Sequence, residues 1–160
     1  MRALSLLSVG GYPAVYWLAH YYALRQLLPC SRDIVLAQMV RLLFGPRSYD
    51  ITRLLIQMLA QDLDTGLALH SLVEHQKIEP ARIQPPLLVC HGDHDAIVDT
   101  AERWQPWLKS SDRTWVAAQG HHFFHFDQAR PVAATLLDHW QRVDRLRPVS
   151  VAPALLKASH

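Results

Sequence analysis

The fold is decided by the segment Pro86-Leu-Leu-Val-Cys-His-Gly-Asp-His-Asp95, together with Gly120-His-His-Phe-Phe-His125 further along the chain. The first segment begins with a short apolar run, which predicts a buried strand, and ends in a turn that carries acids. The second segment is a histidine-rich loop that follows another short strand pattern. An acid and a histidine at the ends of neighbouring strands are two of the three groups of a Ser-His-Asp triad.

Length and composition favour a single globular domain. The chain has 160 residues, of which 50% are hydrophobic, and a formal net charge of +2 at pH 7. Charges of both signs are interspersed and form no basic stripe, so nucleic acid is not expected as a partner. The two cysteines, Cys30 and Cys90, lie far apart and match no metal-binding spacing, which favours a reducing, cytoplasmic location.

The N-terminal stretch is apolar but predicts neither a membrane span nor a signal peptide. After Arg2, no Asp, Glu, Lys or Arg occurs before Arg25. Two glycines and a proline interrupt this stretch, and no small-x-small cleavage site is present. We interpret residues 3–9 as a strand that is followed by a Gly-Gly turn.

The residues between this strand and the acid turn follow helical patterns. The predicted helices are residues 15–28, residues 33–44 with Ser31 as N-cap, a third helix capped by Asp50 and ended by the sequence at 64–66, and residues 67–75. The third helix carries an apolar stripe at helical spacing, formed by Ile51, Leu54, Leu55, Met58 and Leu59. We expect such stripes to pack in the interior. The functional alternative is that their apolar faces roof a substrate pocket.

From residue 83 onward, strand patterns alternate with helical ones. The predicted elements are strands 87–90 and 114–118, a helix through about residue 107 capped by Asp99-Thr100, and a helix from about Pro131 whose buried face is Val132, Leu136, Trp140 and Val143. Such alternation predicts an α/β architecture with parallel strand pairing. In such sheets reactive groups project from the carboxyl ends of the strands, and both opening segments lie there.

The pattern Gly92-x-x-Asp95-x-x-Val98, followed by Gly120 and His122-Phe-Phe-His125-Phe-Asp127, resembles the last third of α/β-hydrolases. Residues 2–8 look like the sixth strand of that family. The resemblance implies a partial α/β-hydrolase fold with parallel strands six to eight and a helical cap insertion. Residues 1–10 would then form a core strand, 11–82 the helical cap, 83–143 the C-terminal part of the hydrolase core, and 144–160 a loose tail.

The same resemblance implies a role for two side chains. Asp95 matches the acid of the catalytic triad, three residues beyond Gly92, and would accept the imidazole N–H and stabilise the imidazolium. His122 matches the catalytic histidine, because His122-Phe-Phe-His125 mirrors the histidine-x-x-histidine spacing of the family. It would act as general base during attack and as general acid for the leaving group.

Two rivals for these roles remain open in the sequence. His121 directly follows Gly120, as the catalytic histidine of the family often does. Asp93 is the rival acid, although its spacing from Gly92 is too short. The simpler interpretation of Asp93 and His94 is that both are polar residues on the surface. We expect His125 to stabilise the loop through a hydrogen bond rather than to take part in catalysis.

The third member of a triad is missing from the sequence. A nucleophile elbow requires G-x-S-x-G, and no serine has this frame. Ser8 comes closest, within Leu6-Leu7-Ser8-Val9-Gly10, but Leu6 stands where a glycine is needed. We therefore expect a truncated serine hydrolase of ester or related acyl bonds that lacks its nucleophile and is inactive alone. Neither a cofactor nor a metal is predicted.

The expected partners follow from the same interpretation. A small apolar substrate would bind only with the missing N-terminal half present, and no membrane contact is predicted. A chain that starts at strand six leaves an open strand edge, so we expect it to be poorly soluble or to pair with another chain. Two alternative functions are a metal-dependent site built from His91, Asp93, His94 and the histidines at 121–125, and a non-catalytic binding or regulatory remnant that uses the apolar cap. The metal alternative matches no established ligand spacing.

Overall fold

A computed structural model describes residues 2–10, 17–65, 79, 83–98 and 101–146. In this part of the chain, three strands form one sheet: β1 (Leu4–Leu7), β2 (Leu87–Gly92) and β3 (Arg113–Ala117). All neighbouring pairs are parallel and the order is β1-β2-β3. The predicted α/β class and the parallel pairing are therefore confirmed.

Four α-helices and two 3₁₀ helices accompany the sheet in the described part of the chain. They are α1 (Trp17–Leu27), α2 (Arg32–Phe44), α3 (Tyr49–Thr65) and α4 (Ala129–Arg145), with 3₁₀ helices at Ala101–Trp107 and Phe124–Phe126. Helices α1 to α3 lie between β1 and β2 along the chain, and α4 follows β3. None of the described helices combines the length and apolar character that a bilayer crossing requires.

The central strand β2 is buried on both faces, as expected for a parallel sheet. Successive side chains point to opposite sides, so β2 contributes to two apolar clusters. One cluster contains Leu88, Cys90, Ala117, Phe124 and Val132. The other contains Leu87, Val89, Trp104 and Trp107. Because both faces of β2 are packed, its carboxyl end is held firmly in place.

The register of the sheet brings the three strand ends to one edge. Leu7 pairs with Cys90 across β1 and β2, and Gly92 pairs with Ala117 across β2 and β3. The backbone N–H of Ser8, directly after β1, also donates to the Cys90 carbonyl at 2.9 Å. The segments that follow the three strands therefore meet at the carboxyl edge of the sheet.

Helix α2 has the caps that the sequence predicts. The Ser31 hydroxyl accepts a hydrogen bond from the backbone N–H of Ile34 at 3.4 Å, and Gly45 ends the helix with a φ of 77°. A positive φ of this size favours glycine. The buried residues of α2 are Val35, Leu36, Met39, Val40, Leu43 and Phe44. This helix therefore forms the centre of a third apolar cluster, separate from the two clusters on the sheet.

Helix α3 differs from the prediction at its start and on its buried face. It begins at Tyr49, so Asp50 lies inside the first turn and does not cap the helix. Of the predicted stripe, only Leu55 and Leu59 are buried. Ile51, Leu54 and Met58 are exposed, Leu54 at 64%. Within the described residues, α3 packs mainly against α2. Because a single neighbouring helix covers only part of a helix surface, it does not bury all five residues of the predicted apolar stripe.

The segment before β3 is a 3₁₀ helix, Ala101–Trp107, where the sequence predicts a helix through about residue 107. Pro106 lies inside it. Proline lacks an N–H and clashes with the preceding turn of an α-helix, which limits the segment to short 3₁₀ geometry. The predicted cap Asp99-Thr100 and the predicted helix 67–75 lie outside the described residues.

Helix α4 differs from the prediction at one position of its buried face. Val132 and Val143 are buried as expected, but Trp140 is 46% exposed and His139 is buried in its place. The Trp140 indole N–H donates to the Ser5 hydroxyl at 3.3 Å, so this ring lies at the border of β1. Burial, followed by the nearby positive charge of Arg113, lowers the pKa of His139. The helix also extends to Arg145, past the predicted beginning of the tail at residue 144.

Candidate active site

The acid turn directly after β2 holds Asp95 in a fixed orientation. The Asp95 carboxylate accepts hydrogen bonds from the backbone N–H groups of Ile97 at 2.8 Å and Val98 at 3.2 Å. The backbone N–H of Asp95 donates to the Gly92 carbonyl at 3.2 Å. Side-chain bonds of this kind are typical of aspartate in turns, since they satisfy the next backbone donors. The Asp95 side chain is only 2% exposed.

The histidine loop is tied by its backbone to three other elements. The Gly120 carbonyl accepts from the backbone N–H of His94 in the acid turn at 2.9 Å. The backbone N–H of Phe123 donates to the carbonyl of Leu43, near the end of α2, at 2.8 Å. The carbonyl of His122 accepts from the hydroxyl of Ser8, directly after β1. These bonds fix the backbone of the loop at His122 and on both sides of it.

Glycine allows the acid turn and the histidine loop to touch. A Cβ atom on Gly92 would lie 2.0 Å from the carbonyl oxygen of Gly120. Backbone atoms cannot move aside as the end of a flexible side chain can. Position 92 therefore requires glycine, and the close approach of the two backbones brings the acid and the histidine within reach of each other.

The structure brings Asp95 and His122 together. The distance from the His122 Nδ1 atom is 3.0 Å to one carboxylate oxygen of Asp95 and 3.2 Å to the other. The carboxylate can only accept, so Nδ1 carries the proton in this contact. The Nε2 atom has no hydrogen-bond partner among the described residues. This arrangement holds the imidazole in the tautomer in which Nε2 can accept a proton.

The surroundings keep the Asp95 carboxyl ionised. Burial raises its pKa, but the hydrogen bond and charge of His122 and the two backbone N–H bonds lower it by more. The net result is a pKa below the ordinary value. A carboxylate that stays charged next to the imidazole stabilises the imidazolium that forms when Nε2 takes a proton.

The two rival residues, His121 and Asp93, lie outside the Asp95–His122 pair. The ring of His121 packs against the backbone of Gly45 and edge-on against the His94 ring, with 5.7 Å between the ring centroids. The side chain of Asp93 is exposed. Neither residue makes a hydrogen bond to the Asp95–His122 pair in the described part of the chain. The structure thus pairs Asp95 with His122 and leaves His121 and Asp93 outside.

His125 and His91 lie outside the Asp95–His122 pair. His125 is exposed, and its ring lies edge-on to the rings of Phe123 and Phe124. No side-chain hydrogen bond of His125 occurs among the described residues, so the expected loop-stabilising bond is wrong there. His91 is buried in β2, which lowers its pKa. The described ranges contain no group of three or more His, Cys, Asp or Glu side chains placed to hold a metal ion.

Ser8 has a role that sequence reasoning did not find. The sequence presents it only as an unsuitable nucleophile. In the structure its hydroxyl donates to the carbonyl of His122, 114 positions away in the chain, and the residue has a φ of 50°. The one sequence signal for this contact was the position of Ser8 directly after β1, because strand ends of parallel sheets meet at one edge.

Fold and site together define an α/β protein with a buried acid–histidine pair at the carboxyl edge of a parallel sheet. The chain is similar to the uncharacterized protein sll0249 of Synechocystis, with 41% identity over 143 residues that cover 88% of this chain and 57% of the relative. It is also similar to the uncharacterized protein alr2406 of Nostoc, with 38% identity over 154 residues that cover 95% of this chain and 61% of the relative. The chain thus spans about three fifths of the length of these curated relatives. No protein-family model and no solved structure matches it.

Proposed function

We propose that this chain supplies the acid and the base of an α/β-hydrolase-type serine hydrolase that cleaves ester or related acyl bonds. The observation that carries the proposal is the buried hydrogen bond between Asp95 and His122 at the carboxyl edge of the sheet. The order of acid before histidine along the chain fits this class, in which the nucleophile precedes both. The nucleophile is expected outside the described residues.

The sheet order and the relatives' lengths support the proposal. Three adjacent parallel strands, β1-β2-β3, correspond to strands six to eight in the proposed class, with the acid after the second and the histidine after the third. Each relative also extends beyond the matched segment by about two fifths of its length. A segment of that kind is where we expect the nucleophile and the earlier strands.

Each group has a defined role in the proposed reaction. Nε2 of His122 takes the proton of the nucleophile hydroxyl while the oxygen attacks the acyl carbon, and Asp95 stabilises the resulting imidazolium. The imidazolium then donates this proton to the leaving group as the acyl–enzyme forms. Water repeats the sequence: His122 takes its proton, the acyl group is released as an acid, and the nucleophile regains its hydrogen.

An apolar wall borders the pair and favours an apolar acyl or alcohol group in the substrate. Ile97 and Val98, directly after Asp95, are part of the apolar core of α2. The ring of Phe123 packs against Phe44 with 5.0 Å between the centroids. The α1–α3 layer thus reaches the proposed reaction centre through the residues that flank Asp95 and His122.

Labelling with a serine-directed fluorophosphonate tests the proposal. The chain is expressed alone and with the reading frame upstream of it, here called the extended protein. We expect labelling of the extended protein only, and a loss of at least about 100-fold in labelling rate for His122→Ala. His121→Ala is the matched control and is expected to keep the rate within about threefold. An extended protein that is not labelled, or one in which the two variants behave alike, would contradict the proposal.

A further inference from the structure

The backbone at Ser8 adopts a conformation that serine rarely takes. Ser8 has a φ of 50°, in the left-handed region, where an L-residue carries a steric cost. Strained conformations of this kind persist when the surrounding structure imposes them, and they concentrate at functional sites. Ser8 is also buried, with 8% of its surface exposed. The strain therefore calls for an interaction that holds the residue in place.

Two hydrogen bonds hold Ser8 at the junction of three segments. Its backbone N–H donates to the Cys90 carbonyl in β2 at 2.9 Å. Its hydroxyl donates to the carbonyl of His122 in the histidine loop. A single residue after β1 is thus bonded both to the strand that leads into the acid turn and to the residue that contacts Asp95.

The bond from Ser8 differs from the other two tethers of the loop. The bonds at Gly120 and Phe123 act two positions before and one position after His122, whereas Ser8 bonds to the backbone of His122 itself. The orientation of an imidazole depends on its own backbone as well as on its partner at Nδ1. A shift of about 1 Å in a catalytic group can reduce a rate about 100-fold.

We propose that Ser8 is a positioning residue, whose hydroxyl fixes the backbone of His122 so that the ring meets Asp95 through Nδ1 and presents Nε2 to the nucleophile. Ser8 is not the nucleophile, because its hydroxyl is engaged by a main-chain carbonyl rather than by the His122 ring. The catalytic consequence rests on the proposed function. The effect of Ser8 on the geometry of the Asp95–His122 bond does not depend on the proposed function.

The test measures the Asp95–His122 bond directly, by NMR of this chain. The two readouts are the low-field proton signal of the His122 Nδ1–H and the carboxyl-carbon titration of Asp95. Ser8→Ala removes the hydroxyl, and Ser8→Gly removes the hydroxyl and also relieves the strain of the positive φ. Ser5→Ala is the matched control: it is the same serine-to-alanine change three residues earlier, within β1, and the Ser5 hydroxyl bonds to Trp140 instead.

For both Ser8 variants we expect loss of the low-field signal and an upward shift of the Asp95 titration midpoint, since the hydrogen bond from His122 lowers the pKa of this carboxyl. For Ser5→Ala we expect neither change. If Ser8→Gly keeps the signal and the midpoint of the unaltered chain, the hydroxyl has no positioning role and the inference is wrong. The same conclusion follows if Ser5→Ala produces the same changes.

Activity separates this inference from the proposed function. In the extended protein, Ser8→Gly should lower kcat by about 10- to 100-fold and leave KM within about twofold, since it misplaces a reacting group without removing substrate contacts. If the extended protein has no hydrolase activity but Ser8→Gly still changes the NMR readouts, the proposed function fails and the positioning role stands. If the protein is active and Ser8→Gly equals Ser5→Ala in kcat, the positioning role fails.

Discussion

The carboxyl edge of the sheet and the exposed face of α3 place their side chains in opposite environments. At the edge, an ionised carboxylate and an imidazole are almost fully buried and bonded to each other. On α3, the large apolar side chains of Ile51, Leu54 and Met58 are exposed to solvent. Burying a charged group costs free energy unless it is paired, whereas an exposed leucine is common in proteins. The edge is therefore the region whose arrangement calls for a functional explanation.

The largest effect on stability is expected for Gly92→Ala. The new Cβ would lie 2.0 Å from the Gly120 carbonyl oxygen, so the acid turn and the histidine loop would have to separate. We expect a loss of about 4 kcal/mol in the free energy of unfolding, measured by urea denaturation. Ala96→Ser is the control, because residue 96 lies in the same segment and is exposed, and it should change stability by less than about 0.5 kcal/mol. Equal stabilities for the two variants would show that the two backbones do not touch.

The second prediction compares adjacent leucines on α3. Leu55 is buried and Leu54 is exposed. Leu55→Ala should lower the free energy of unfolding by about 3 kcal/mol, because it leaves a cavity in the core around α2. Leu54→Ala should change it by less than about 0.5 kcal/mol. A large loss from Leu54→Ala would mean that this face of α3 is covered in solution.

A smaller effect is expected in the acid dependence of stability. Because the folded protein lowers the pKa of Asp95 below its ordinary value of 3.8, the carboxylate stabilises the fold at higher pH. This contribution is lost as the pH falls from about that ordinary value through the lower folded value. The thermal midpoint of Asp95→Asn should therefore fall less steeply below pH 4 than that of the unaltered chain. Asp93→Asn, an exposed control, should follow the unaltered chain, and an identical slope for all three would contradict the lowered pKa.

The smallest effect concerns the chemical reactivity of the two cysteines, Cys30 and Cys90. Burial raises the pKa of the Cys90 thiol to about 11, whereas Cys30 is only partly buried. The thiolate is the reactive form, so iodoacetamide at pH 8 should modify Cys30 and leave Cys90 unmodified in the folded chain. Mass spectrometry of the digested protein identifies the modified site. Modification of Cys90 at the same rate as Cys30 would show that β2 is accessible from the site edge.

The sequence was most informative where local patterns coincide with the final environment. The apolar run of β2, the Ser31 cap and the glycine spacing before Asp95 are each readable within a few residues, and the structure has all three. The order of the strands also predicted that the acid turn and the histidine loop meet, because parallel strand ends lie at one edge. The choice of Asp95 and His122 within them came from the family resemblance.

Features that depend on distant packing were not predictable in the same way. Which stripe of α3 is buried depends on how much of the helix its neighbours cover, and that is not encoded in the spacing of its apolar residues. Whether His139 or Trp140 is the buried residue on α4 likewise depends on how the helix is rotated against the sheet. The tether from Ser8 joins residues 114 positions apart, and no local pattern indicates it.

The proposal that Asp95 orients a catalytic His122 is tested most directly by kcat/KM for a short-chain p-nitrophenyl ester. In the extended protein, Asp95→Asn should lower kcat/KM by about 10⁴-fold, because an amide at this position favours the wrong tautomer of the imidazole. Asp93→Asn, two residues away and exposed, should keep kcat/KM within about threefold. A folded Asp95→Asn variant that retains the activity of Asp93→Asn would contradict the claim.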